Sequence, residues 1–146
     1  MAEIVKMSSE HIAGVAKIEK ECFSSPWSEK ALSEELTNDV SHFFVCLDEN
    51  KVVGYAGVHI MSGECYIDNI AVSASHRRQK IGSLLIEKLI NTAKNKGGEF
   101  ISLEVRQSNK PAICLYEKFG FVSVGVRKNF YDFPTEDAII MTKTFL

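Results

Sequence analysis

Apolar positions along this chain change period in a definite order, and that order predicts its elements. Residues 3–6 read as a short strand. Ser8 and Ser9 are placed to cap a helix over about 10–22, where Ile12, Val15, Ala16, Glu19 and Phe23 recur at helical spacing. The segment Ser24-Ser25-Pro26-Trp27-Ser28 breaks the pattern, and Ser28 can cap a second helix reaching about Leu36. Strands over 43–47 and 52–60 follow, joined by a turn at Asp48-Glu49-Asn50, and a turn at Ser62-Gly63 leads into a strand over 66–72. A helix over 82–95 places Ile81, Leu84, Leu85, Leu89 and Ala93 on one stripe, and Lys96-Gly97-Gly98 ends it. Next come a strand over 101–105, a helix over 111–119 stopping at Gly120, and a closing antiparallel pair, 121–126 and 138–145, around a long loop. The expected fold is α/β (α+β). It is one domain spanning 1–146, with a mixed, mostly antiparallel seven-stranded sheet flanked by about four helices on both faces.

Composition narrows the function classes. At 146 residues, 45% hydrophobic and 25% charged, the chain has the make-up of a soluble globular protein with a real core. A net charge of -2 gives no overall basic field, so direct nucleic-acid binding is not expected. Cys22, Cys46, Cys65 and Cys114 lie far apart without a C-x-x-C pair, which suits reduced core residues rather than a disulfide framework or zinc site. The start of the chain lacks a basic-then-apolar signal, and no apolar run approaches a membrane span. A cytoplasmic, membrane-free and monomeric protein is the expectation.

Positive charge is concentrated locally, in His76-Arg77-Arg78-Gln79-Lys80-Ile81-Gly82-Ser83, between a strand and a helix. The free N–H groups of a helix N-terminus suit anions, so this turn is either a polyphosphate site or a solvated helix start. It matches neither G-x-G-x-x-G nor the Walker pattern. Strand alternation places Ser102, Glu104 and Arg106 on the face opposite Leu103 and Val105, and Glu104 reads as a solvent-facing residue or as a general base. Tyr116 falls on the stripe Ala112, Leu115, Tyr116, Phe119, as core or as a buried ring that points its hydroxyl at a site. Asn109 is an N-cap or turn residue. The loop 127–136 crowds Phe130, Tyr131 and Phe133 together, which either anchor it or line a peptide groove. Pro26-Trp27 has the same two readings. His11, His42, His59 and His76 share no spacing and no metal-ligand pattern.

In order, these features resemble the GNAT superfamily of N-acetyltransferases. The resemblance runs through Asn69-Ile70-Ala71-Val72, Arg77-Arg78-Gln79-Lys80-Ile81-Gly82, Leu103-Glu104-Val105-Arg106, Ser108-Asn109, Ala112 and Leu115-Tyr116-Glu117-Lys118-Phe119-Gly120-Phe121. Within it, the chain is most similar to the ribosomal-protein-alanine N-acetyltransferase family. That likeness rests on Ile18-Glu19, Cys22-Phe23 and Pro26-Trp27-Ser28 near one end, and Tyr131-Asp132 with Pro134-Thr135-Glu136-Asp137-Ala138 near the other.

The resemblance implies acetyl-CoA as cosubstrate and no metal. The backbone from Arg77 through Arg78, Gln79, Lys80, Ile81 and Gly82 to Ser83 would hold the pyrophosphate. Ile70, Ala71 and Val72 would hold the pantetheine, and Asn109 and Tyr116 would complete the cofactor site. Glu104 is then the general base, Tyr116 protonates the leaving thiolate, and attack is direct, so no cysteine is needed as nucleophile. The acceptor implied is the N-terminal alanine amine of the eighteenth small-subunit ribosomal protein, flanked by Pro26, Trp27 and Tyr131. Glu136 and Asp137 would attract a basic tail or serve structure. The alternatives are a small amine or lysine acceptor, and a silent acyl-CoA-binding module. One position departs from the family's motif: Lys80 stands where its first glycine belongs. A positive φ there would strain lysine by roughly 1–2 kcal/mol. The expectation is that none is needed and that Lys80 adds charge near the pyrophosphate.

Overall fold

The computed structural model describes residues 2–77 and 80–145. Seven strands form one sheet in the order β1-β2-β3-β4-β5-β7-β6. They are β1 (Ala2–Lys6), β2 (Ser41–Asp48), β3 (Lys51–Met61), β4 (Glu64–Val72), β5 (Phe100–Arg106), β6 (Val122–Tyr131) and β7 (Glu136–Thr144). Every neighbouring pair is antiparallel except β4 and β5, which are parallel, as expected of a mixed sheet interrupted by one helical crossover.

The helices α1 (Ile12–Cys22) and α2 (Glu29–Glu35) cover one face, and α3 (Ile81–Asn95) and α4 (Lys110–Lys118) the other. Each face has its own core. Ile12, Val15 and Ile18 of α1 and Leu32 of α2 pack on Val45, Tyr55 and Ala71. Ile81, Leu85, Ile86, Leu89 and Ala93 of α3 and Tyr116 of α4 pack on Val58, Ile67, Ile101 and Leu103. Strand residues therefore alternate between two buried faces, which is why β3 reads as a nearly continuous apolar run.

Local signals explain most boundaries. The Ser28 side chain accepts the Ala31 N–H at 3.1 Å and starts α2. Asn109 does the same for α4 through Ala112, with Pro111 in its first turn. Gly97 and Gly120 follow α3 and α4 with φ of 79° and 93°, the left-handed geometry that ends a helix.

Three expectations change. The first helix opens with a single 3-10 turn, Ser9–His11, closed by the His11 N–H on Ser8 O at 3.0 Å, while the Ser8 N–H is taken by His11 Nδ1 at 3.0 Å. Leu84 is 43% exposed, and the buried stripe of α3 runs instead through Ile86 and Ile90. The long loop over 127–136 is mostly strand: β6 continues to Tyr131, β7 begins at Glu136, and the pairing is irregular between Arg127 and Tyr131. Polar Arg127, Lys128 and Asn129 hid that extension, because an edge strand exposed on both faces carries no alternation.

Candidate active site

The sheet opens where β4 and β5 part. Their pairing covers only Glu64–Tyr66 against Phe100–Ser102, yet β4 continues to Val72 and β5 to Arg106. A bulge lies just past the divergence. Val58 faces Ile67 and Gly57 faces Asn69, leaving Asp68 as the extra residue. Gly57, opposite the bulge, leaves room for the Phe43 ring, from which a Cβ there would lie only 2.4 Å. Past the bulge, the Ser73 N–H bonds Val53 O at 2.8 Å, so the antiparallel alternation gives Ala71 to Tyr55 and leaves the polar groups of Ile70 and Val72 facing the gap. Of the three residues expected to present backbone here, Ala71 is thus committed to β3.

At the mouth of the same gap, α3 begins without a side-chain cap and with no acidic residue in its first turn. Among the described residues no side chain caps its first N–H groups, and these and the helix dipole favour an anion. Lys80 is its N-cap and has φ 63°, ψ 16°. The expectation of an unstrained lysine is therefore corrected: the position is left-handed, the geometry glycine adopts without penalty. Gly82 comes close to α4, since a Cβ would lie 3.3 Å from Leu115 Cδ2. Ile81 is buried in the core, so it anchors the turn, while Ser83 is half-buried. Arg77 folds back, its Nε 3.4 Å from Val72 O and its Nη2 3.5 Å from Cys22 Sγ. Burial pushes the Cys22 thiol up against the lowering effect of Arg77. Arg78 and Gln79 lie outside the described residues.

Lys80→Gly separates strain from charge. It is expected to leave the melting temperature within about 4 °C, because relief of about 1 kcal/mol of left-handed strain is offset by greater unfolded-state freedom. It should raise the Kd for acetyl-CoA by about twofold to fivefold at low ionic strength, an effect that disappears in high salt. Calorimetry at two salt concentrations checks both.

Glu104 lies on the α1–α2 side of the gap, as alternation predicts, and Arg127 Nε of β6 holds its Oε2 at 2.9 Å. Tyr116 is buried in the core on the α3–α4 side, with its ring 5.8 Å from that of Phe121. Burial and the neighbouring Tyr131 push its proton affinity well above that of an ordinary tyrosine. Tyr131 links the two: burial and the charge of Glu104 push it up to about 12. Glu104 and Tyr116 thus lie on opposite faces of the sheet, and Tyr131 is electrostatically coupled to each.

Arg106 draws the two lips together. Its guanidinium is 4.5 Å from the centroid of the Tyr131 ring and donates to Asp132 O, Pro134 O, Glu136 Oε1 and Ser24 Oγ. Ser24 Oγ also donates to Asp132 O at 3.0 Å, so the α1–α2 loop touches the β6–β7 turn. Trp27 is half-buried, 6.0 Å from the Phe43 ring, and its N–H reaches Glu19 Oε1 at 2.8 Å; Pro26 beside it is exposed. Glu136 accepts from Ser108 N at 2.6 Å and from Arg106, which hold its carboxyl below the usual range. Asp137 Oδ1 accepts from Asn129 N at 2.9 Å. Both acidic side chains are thus engaged, Glu136 with the end of β5 and the segment after it, and Asp137 within the β6–β7 hairpin.

Sequence reasoning missed Arg106, Arg127 and a polar row behind the bulge, consisting of Asp68, His59 and Glu35. The alternation that placed Glu104 also placed Arg106 beside it and was the one available signal. His59 lies far in sequence from both of its carboxylate partners, so no spacing could disclose it.

Comparison with known proteins agrees with the fold. The acetyltransferase (GNAT) family model matches residues 12–121. A Bacillus subtilis protein named provisionally as a ribosomal protein bS18-alanine N-acetyltransferase is 38% identical over 98% of this chain and 95% of its own. The Escherichia coli K12 protein named for the same activity is 34% identical over 97% and 96%. The crystal structure of the Escherichia coli ribosomal-protein-S18-alanine N-acetyltransferase superposes with a TM-score of 0.91 at 32% identity, covering 99% of this chain and 94% of that one. The match over residues 12–121 and the superposition along nearly the whole chain define the class as an acetyltransferase fold with its sheet split between β4 and β5. The chain belongs to the acetyltransferase (GNAT) family.

Proposed function

We propose that this chain transfers the acetyl group of acetyl-CoA to the N-terminal alanine amine of a small-subunit ribosomal protein in the cytoplasm. What supports the reading is the parting of β4 and β5, with Glu104 on the strand past the divergence and the start of α3 following the end of β4. The relatives' names supply the acceptor.

The residues at the gap fit the cosubstrate. The uncapped start of α3 with Lys80 suits a pyrophosphate, and the outward-facing backbone of Ile70 and Val72 suits an amide-bearing arm. When bound, acetyl-CoA supplies an activated thioester, and acylation of an ammonium releases one proton overall. A backbone N–H of β4 would polarise an acyl oxygen placed against it. Glu104 takes a proton from the acceptor ammonium, directly or through a water, and Arg127 fixes its orientation. Tyr116 keeps its proton until a strong base arrives, as an acid for a leaving thiolate must. An α-amine, with a pKa near 7.7–8.0 against about 10.4 for lysine, is partly neutral at pH 7 and is within the capacity of a carboxylate base. The Trp27 corner and the Tyr131 turn flank the approach.

Mixing the protein with acetyl-CoA and a peptide copying the N-terminus of the ribosomal target is expected to release CoA, read with a thiol reagent. Binding of CoA without release would favour a silent module. Equal transfer to lysine side chains would remove the α-amine assignment. Mass spectrometry of cellular N-termini with and without the gene measures the range of acceptors.

A further inference from the structure

Behind Glu104, the acceptor side of the sheet carries a second line of titratable groups drawn from three elements. Asp68 is the bulged residue of β4, and its Oδ2 is in direct contact with His59 Nδ1 of β3. His59 Nε2 lies 3.0 Å from Glu35 Oε2 at the end of α2. Ser41 Oγ donates to that same oxygen at 3.1 Å, and the Phe43 ring meets the imidazole edge-on at 6.2 Å and 80°. The line begins beside the active opening, since Asp68 and Glu104 each lie two residues past the last paired couple, Tyr66 and Ser102.

Counting protons shows what such a line does. Each of its two N···O contacts needs a proton brought into line: both are charge contacts without hydrogen-bond alignment as they stand, and Asp68 Oδ2 is buried with no donor aimed at it. A neutral imidazole brings one, and two ionised carboxylates bring none. Filling both contacts needs one proton more, held as an imidazolium or as a carboxylic acid at one end. The line therefore exists in two forms that differ by one proton and interconvert through small rotations of the imidazole and the Asp68 carboxyl. Burial pushes Asp68 up to about 7, with Glu35 and Glu104 adding to the rise and His59 opposing it. Among the described residues, the charged groups facing the line are Glu104 from β5 with its Arg127 partner from β6; His42 of β2, paired with Val58, points to the opposite face of the sheet. The side chains of His59 and Glu35 are 27% and 12% exposed, so the far end reaches water.

We propose that Asp68 is a second proton acceptor for the acceptor amine beside Glu104, and that His59 and Glu35 carry the proton onward to solvent. This rests on the α-amine acetylation reading above. In the step, an N–H bond of the ammonium breaks, its electron pair stays on nitrogen, and the proton bonds to a carboxylate oxygen of Asp68. Protons shift from Asp68 toward Nδ1 and from Nε2 toward Glu35, and Glu35 hands one to water. The amine nitrogen gives up two protons in all: the one taken by Glu104 offsets the proton that Tyr116 gives the thiolate, and the one taken by Asp68 leaves to water as the single proton that acylation of an ammonium releases.

The test is a pH profile of kcat for wild type, Asp68→Asn and His59→Gln, with folding checked by circular dichroism. Each variant is expected to lose about tenfold at pH 7 and less than about twofold at pH 9.5, where an α-amine of ordinary pKa is already neutral. A deficit equal at both pH values, or none, would overturn the relay while leaving the acetyltransferase reading intact. A wild type without turnover would overturn both. Carboxyl-carbon NMR of the free enzyme is an independent readout. Asp68 should titrate near pH 7 and move upward in His59→Gln, because the imidazole opposes its rise. Titration in the ordinary aspartate range would also overturn the proposal.

Discussion

Replacing Tyr116 by phenylalanine is expected to lower kcat by about 10²–10³-fold, with acetyl-CoA affinity unchanged within about twofold. The asymmetry follows from where the ring sits. Its face packs against Phe121 and the core beneath α4, contacts that phenylalanine keeps. What is lost is one O–H at the opening, and with it the only buried acid on the α3–α4 side that the described residues place there. Burial and Tyr131 raise its pKa, so the wild-type rate should not fall between pH 7 and 9 from loss of this proton. Stopped-flow kinetics with calorimetric titration of the cosubstrate check both halves. A variant with unchanged kcat, or one that loses affinity alone, would remove Tyr116 as the proton donor. Tyr131 is the natural alternative donor because it lies within electrostatic reach of both groups, and Tyr131→Phe is the matching control.

Much of this arrangement is legible in the chain, for identifiable reasons. Glu104 is placed by the two-residue period of β5, which runs through Ile101, Leu103 and Val105 into one core. Asn109, Pro111 and Gly120 bracket α4, and the four-residue spacing from Ala112 then puts Tyr116 on its inner side. Both assignments need only local periodicity. Lys80 shows where local reasoning stops. Lysine carries no sign of a left-handed backbone, and the geometry is imposed by a turn that must deliver Ile81 to the core and Gly82 to Leu115. The row from Asp68 to Glu35 is hidden for another reason. A bulge turns Asp68 and Asn69 to the same side of the sheet, which breaks the alternation a reader relies on. Arg106 was visible as a residue of the right face, but its partners Ser24, Asp132, Pro134 and Glu136 are defined only by tertiary packing.

The largest loss of stability is expected for Glu19→Ala, about 3–5 kcal/mol, because it strands several buried polar groups at once. Glu19 is fully buried in α1. Its Oε1 accepts the Trp27 N–H at 2.8 Å, and its Oε2 takes the Tyr55 hydroxyl and Asn69 Nδ2, the latter at 3.1 Å. One side chain thus ties the Trp27 corner to β3 and to the bulge that opens the sheet. The consequence should reach function: the KM for the peptide is expected to rise more than that for acetyl-CoA, since the acceptor's flank loses its anchor while the start of α3 is untouched. Glu19→Gln keeps one acceptor and should cost less. Its pH dependence gives a signed check. Burial raises the folded pKa of Glu19 above its ordinary 4.5. A group shifted in that direction stabilises the native state most fully below the unfolded pKa, and that contribution is lost as pH rises through the folded value. The deficit of Glu19→Gln relative to wild type should therefore be largest near pH 4.5 and shrink toward pH 8, measured by urea unfolding. A deficit that grows with pH would mean that the carboxylate is the form the fold prefers, and that hydrogen bonding from Trp27, Tyr55 and Asn69 outweighs the cost of burying its charge.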